Sequence, residues 1–130
     1  MKIKNDHFKS KLVGRGIWHC WQSVGFASTN RHNIISLYEV ILIYNERIRC
    51  GECADHSNTF ITNTADYVVA FLKNLELTDS EVLNLFNRWL YDYHISANVH
   101  AGMLVSELPT YDEVVEFYTN YERCDDECTK

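Results

Sequence analysis

The sequence predicts an all-α fold, a single bundle of about five or six helices, on three observations. Apolar residues recur at helical spacing through most of the 130-residue chain. Two Thr-x-x-Glu capping boxes, Thr78 to Glu81 and Thr110 to Glu113, stand just before such stripes. No stretch alternates apolar and polar residues in the manner of a half-buried strand. The composition allows such a fold, since 46% apolar and 13% aromatic residues can bury a core without staples.

Taken in order, residues 1–11 are polar and read as a loose lead-in. Gly14-Arg15-Gly16-Ile17-Trp18 then opens a first helix, with Ile17, Trp18, Trp21, Val24 and Gly25 on one face. Ser28-Thr29-Asn30 breaks it, and Asn30 with Asn33 caps the next. Ile34, Leu37, Tyr38, Ile41, Leu42 and Ile48 mark a second, amphipathic helix. It should end near Arg47 to Arg49, where basic side chains suit the negative end of a helix. A third helix starts at Cys50 and runs toward Phe60 or Ile61. Asn63-Thr64 caps a separate segment, Tyr67 to Leu75, before the fourth and longest helix. That helix buries Val82, Leu85, Phe86, Trp89, Leu90 and Tyr93. Tyr111, Val114, Val115 and Tyr118 then form the i, i+3, i+4, i+7 stripe of a short last helix. Residues 12–121 make one domain, and residues 122–130 an acidic tail.

Charge and hydropathy exclude some functions. The net charge of -6 disfavours nucleic acid, whose phosphates call for clustered Lys and Arg. The longest apolar run, Ile34 to Tyr44, is interrupted by Ser36 and Glu39, so no membrane span is expected. The first residues lack the apolar core of a secretory signal.

The cysteines carry the chemistry. Cys50-Gly51-Glu52-Cys53 and Cys124-Asp125-Asp126-Glu127-Cys128 are close pairs, and Cys20 is left over. Pairs this close shut tiny loops and stabilise little through chain entropy, so they read as chemistry rather than stapling. Two readings stand: a redox disulfide, or half of a tetrahedral metal site. A cysteine in the first turn of a helix faces the positive end of the dipole, which favours the reactive thiolate. Cys20 reads as a small buried thiol, and His7, His19, His32 and His100 as solvent-side or incidental.

Several motifs stand in a fixed order: Gly14-Arg15-x-x-Trp18, Cys50-x-x-Cys53, then Trp89-x-x-x-x-His94-x-x-x-Asn98, then the short last helix. In this order the chain, from Leu12 to Tyr121, resembles the Erv/ALR family of flavin-linked sulfhydryl oxidases. The resemblance implies a four-helix bundle with a short fifth helix, here with an extra segment between the third and fourth helices. It also implies non-covalently bound FAD. Gly14, Arg15, Trp18 and Gln22 would meet the cofactor from the first helix. His94 and Asn98 would meet it from the fourth, Trp89 would wall its cavity, and Tyr118 and His56 would stand close by. Cys50 would exchange with a protein dithiol substrate, and Cys53 would lie next to the flavin. Electrons would pass to FAD and then to O2, giving H2O2. Cys124 and Cys128 would shuttle electrons from substrate to Cys50–Cys53.

Further implications are a homodimer through the first two helices, no resident metal, and a compartment. The compartment is the host cytoplasm or the virion for a viral chain, or else the mitochondrial intermembrane space. The chain departs from the family pattern at several places. Gln22 replaces a His, Ile48-Arg49 a Tyr-Pro, and Ile95 and Ala97 an Asn and a Val. A basic residue near Met103 is missing, and the stretch from Cys53 to Trp89 is long. The alternative reading is a zinc-stabilised helical interaction module using Cys50, Cys53, Cys124 and Cys128.

Overall fold

The computed structural model describes residues 6–47 and 51–120, with side chains from 16–47 and 54–120. The fold is all-helical. Four helices, α1 (Asp6–Ala27), α2 (Arg31–Asn45), α3 (Gly51–Lys73) and α4 (Asp79–His100), pack around one core. A 3-10 turn, Val105–Glu107, leads to the short α5 (Tyr111–Thr119). Each of α2, α3 and α4 touches the other two; α1 packs on α4 and α2, and α5 lies against α1. No helix among the described residues is long and apolar enough to cross a membrane.

Local chemistry sets the boundaries. The Asn30 side chain accepts the Asn33 N–H at 3.0 Å and starts α2. Both capping boxes form as the sequence indicates: Thr78 with Glu81 opens α4, and Thr110 with Glu113 opens α5. Gly102, at φ +98°, adopts the left-handed conformation that lets the chain leave α4.

Three expectations are corrected. First, α1 begins at Asp6, so the lead-in is shorter than its polarity indicated. Second, the segment from Tyr67 is not separate. It continues α3 without a break to Lys73, because Asn63 and Thr64 do not cap it. The Thr64 hydroxyl donates to the Phe60 carbonyl at 2.8 Å and accepts the Trp89 indole N–H at 2.9 Å. Both of its hydrogen-bonding roles are spent inside a running helix, and Leu75 is left in the following turn. Third, Val24 is 44% exposed and lies off the buried face of α1.

The core contains Trp21, Ile34, Tyr38, Ile41, Val68, Phe86, Trp89, Leu90 and Tyr93, with Ile17 and Trp18 packed against it. Burial of such side chains supplies the main drive to fold. Two polar devices complete the packing. Arg31 donates to the carbonyls of Leu72, Asn74 and Leu77 at 3.0, 2.8 and 2.6 Å, and its charge lies 3.8 Å from Asp79. It thereby bonds the last turn of α3 and the loop that follows it to the start of α2. Gly25 lets α1 approach α4 closely: Asn87 Nδ2 donates to its carbonyl at 3.2 Å.

Candidate functional site

Trp18 and Gln22 are one turn apart on α1 and share a face. His94 of α4 and Tyr118 of α5 come against that face. The Trp18 ring lies flat on the His94 imidazole, with centroids 4.5 Å apart and planes at 9°. Its position is fixed by edge contacts with Trp21 at 5.2 Å and Tyr93 at 4.8 Å. Tyr118 donates its hydroxyl proton to Gln22 Oε1 at 3.1 Å, and its ring stacks on Phe26 at 5.3 Å. His19 Nδ1 lies 3.0 Å from the same hydroxyl.

Beside these groups is a cleft of about 350 Å³. Gln22 and His94 line it from the bundle, Glu113, Val114, Phe117 and Tyr118 from α5, and Pro109 from the connecting loop. The cleft is mainly apolar. Burial pulls the His94 pKa down from 6.5 to about 4, so its imidazole is neutral near pH 7. It then offers one N–H donor and one acceptor, not a cation. Its α5 wall is held by the Thr110 capping box and by ring packing. Arg88 sits 5.0 Å from the centre of the Tyr111 ring, and Tyr91 donates to the Pro109 carbonyl at 2.8 Å.

Four residues assigned to the cofactor by motif order (Trp18, Gln22, His94 and Tyr118) are therefore brought together. Others are not. Trp89 is 3% exposed and lies in the core among Tyr38, Phe60 and Phe86. Its N–H is spent on Thr64, and it does not line the cleft. His56 is at the α3–α4 seam, with Nε2 2.9 Å from Ser96 Oγ and its ring stacked on His100 at 4.2 Å. Ser96 is two residues from His94, about 200° around α4, so His56 faces away from the cleft. Asn98 is half-buried one turn beyond His94 and is not among the cleft-lining residues.

Gly14 and Arg15 are in α1, on the turn before Trp18; their side chains lie outside the described residues. Cys53 is in the first turn of α3, as the sequence indicates, and its thiol also lies outside them. So do Cys50, Cys124, Cys128 and Ile48. Cys20 is a free, exposed thiol, not the buried one expected, because it falls on the outer face of α1. Among the described residues no three His, Cys, Asp or Glu side chains form a group able to hold a metal ion.

Sequence reasoning missed a buried polar chain one turn past Cys53. Tyr93 and Ser57 share a hydroxyl hydrogen bond, Ser57 donates to Asn45 Oδ1, and Asn45 Nδ2 donates to Asn58 Oδ1. Burial pushes the Tyr93 phenol pKa up, with the Ser57 bond opposing. The available signal was Asn45, a polar residue four positions after Ile41 on the buried stripe of α2.

No protein-family model, curated protein or solved structure matches the chain.

The site residues fit one part of FAD. A cleft of about 350 Å³ lies at the lower end of the roughly 300–1,000 Å³ range of small-molecule sites. Its mainly apolar walls and the neutral Gln22, His94 and Tyr118 suit a flat heteroaromatic ring. Its one charged lining residue among those described, Glu113, is an anion whose carboxylate accepts the Thr110 N–H. No described cation lines it to meet a phosphate.

Proposed function

We propose that the chain is a flavin-linked sulfhydryl oxidase that forms disulfides in protein dithiols. The observation that carries the reading is the convergence of Trp18, Gln22, His94 and Tyr118. These residues span 100 positions of sequence and were assigned to one cofactor by the family resemblance; Gln22, His94 and Tyr118 line one cleft, and Trp18 stacks on His94 behind it. When bound there, FAD would supply the two-electron acceptor that the thiols lack and the route to O2, with H2O2 as product.

The rest follows from the chain's own groups. A substrate thiolate attacks the Cys50–Cys53 disulfide at Cys50, forming a mixed disulfide. The second substrate thiol then displaces Cys50, leaving an oxidised substrate and two reduced cysteines. Cys53, at the positive end of α3, is favoured as thiolate. Trp18 backs the His94 ring by stacking on it, and His94 and Gln22 offer neutral hydrogen bonds at the cleft. Cys124 and Cys128 act as the shuttle pair. Two copies associate through α1 and α2, whose outer faces expose Val24, Val40 and Ile43 at 44%, 53% and 59%.

The test is oxygen consumption by the purified chain with a small dithiol. Turnover is expected in the wild type and absent in Cys53→Ala; a fully active Cys53→Ala rejects the assignment. Gel filtration should place the chain at twice its 15.2 kDa mass, and elution as a monomer contradicts the association.

A further inference from the structure

His19 was set aside in the sequence as incidental, yet it reaches the cleft through a partner. It is three residues before Gln22 on α1, so both face α5. Its Nδ1 lies 3.0 Å from the Tyr118 hydroxyl, and that hydroxyl lies 3.1 Å from Gln22 Oε1. The His19 and Tyr118 rings are also in contact, at 5.7 Å. A phenol has one proton. If Tyr118 gives it to Gln22 Oε1, its oxygen must accept from His19, which requires the proton on His19 Nδ1. The chain of donors then runs one way, from His19 to Tyr118 to Gln22. With its Oε1 engaged, the Gln22 amide has its NH2 group left to offer. Gln22 is 6% exposed and lines the cleft, so that NH2 group is available to an acceptor placed there.

We propose that His19 is a positioning residue: through Tyr118 it turns the Gln22 amide so that its NH2 selects a neutral ring bearing a hydrogen-bond acceptor. The ligand class rests on the flavin reading above, whereas the geometry of His19 does not. His19 touches no ligand and acts by removing the alternative polarity. With Nδ1 unprotonated it would instead accept from Tyr118, and Gln22 would turn its oxygen toward the cleft.

The test has two arms on the purified full chain, stripped of any flavin it carries. Nitrogen-detected NMR reads the tautomer of neutral His19. The proposal expects the Nδ1–H form in the wild type and loss of that form in Tyr118→Phe. Riboflavin, which has ring acceptors and no phosphate, is titrated against tryptophan fluorescence. His19→Ala should weaken its binding about threefold to tenfold, the worth of one well-placed hydrogen bond. His19→Asn, which can donate from a similar position, should restore most of it. An Nε2–H tautomer in the wild type, or unchanged riboflavin affinity in His19→Ala, overturns the positioning role. The Nδ1–H tautomer in a wild-type chain that binds no riboflavin overturns the ligand named here, and the flavin reading falls with it when added FAD is not taken up either.

Discussion

Replacing Gly25 by Ala tests the packing that places α1, and with it Trp18 and Gln22, against α4. On an open helix surface the change would stabilise by about 1 kcal/mol, because Ala is the better helix former. Here a Cβ on residue 25 would stand 2.3 Å from Asn87 Oδ1 and 3.5 Å from Asn87 Cγ, with Leu37 Cδ2 at 3.8 Å. Asn87 is buried, so it must swing within a packed core and give up its bond to the Gly25 carbonyl. Loss of the bond costs about 1 kcal/mol, and overpacking about 1–3 kcal/mol more. After the gain in helix propensity the net destabilisation is about 2 kcal/mol. At about 4 °C per kcal/mol for a chain of this size, Tm should fall by about 8 °C. The assay is thermal and urea unfolding of wild type, Gly25→Ala, Asn87→Ala and the double variant. The double variant should lose less than the sum of the singles, since removing the Asn87 amide relieves the clash. A Gly25→Ala chain as stable as the wild type, or more so, refutes the reasoning.

Other outcomes follow from the same geometry. Arg31→Ala removes three hydrogen bonds from the last turn of α3 and the loop after it and should cost about 2–3 kcal/mol in urea unfolding; a loss below about 0.5 kcal/mol would mean that water replaces the clamp. His94 titrates at about 4 in the folded chain against 6.5 unfolded, so the unfolded state takes up its proton first as pH falls. Its contribution is intact above pH 6.5 and is lost progressively down to about pH 4, on the order of 3 kcal/mol in all. His94→Gln should flatten that part of the stability–pH curve, and an unchanged slope between pH 7.5 and 4.5 speaks against a buried neutral imidazole. Thr110→Ala removes the α5 capping box and should cost about 1 kcal/mol while also weakening riboflavin binding, because α5 carries Tyr118. An unaltered riboflavin affinity would show that the cleft does not depend on how α5 is seated.

The helical class was legible because period and caps agree. Thr78 and Thr110 each begin a helix where their Glu partners stand three residues on. The apolar stripe from Val82 to Tyr93 points inward, with Leu85 half-buried at its margin. The continuity of α3 was not legible, because Thr64 is a good cap by residue type. Only its neighbours Phe60 and Trp89 show that its hydroxyl is already committed. The same tertiary contact took Trp89 out of the candidate site. Sequence order could place Trp89 and His94 on one helix, yet the two residues face different neighbours: Trp89 the α2–α3 side and His94 the α1 side. His56 failed for a similar reason, since its Ser96 and His100 partners lie on another face of α4. His19 was overlooked because its value comes from Tyr118, 99 residues away. Arg31 and Asn45 were invisible as clamps, because their partners are backbone carbonyls or small polar side chains that carry no motif.

The most direct test of the central claim is the visible absorption spectrum of the purified chain, followed by that of the supernatant after heat denaturation. The account predicts a flavin spectrum in the protein and FAD in the supernatant, both reduced in Trp18→Ala. A colourless protein that also takes up no added FAD contradicts it. Stoichiometric zinc in that colourless protein would reassign Cys50, Cys53, Cys124 and Cys128 from electron carriers to metal ligands.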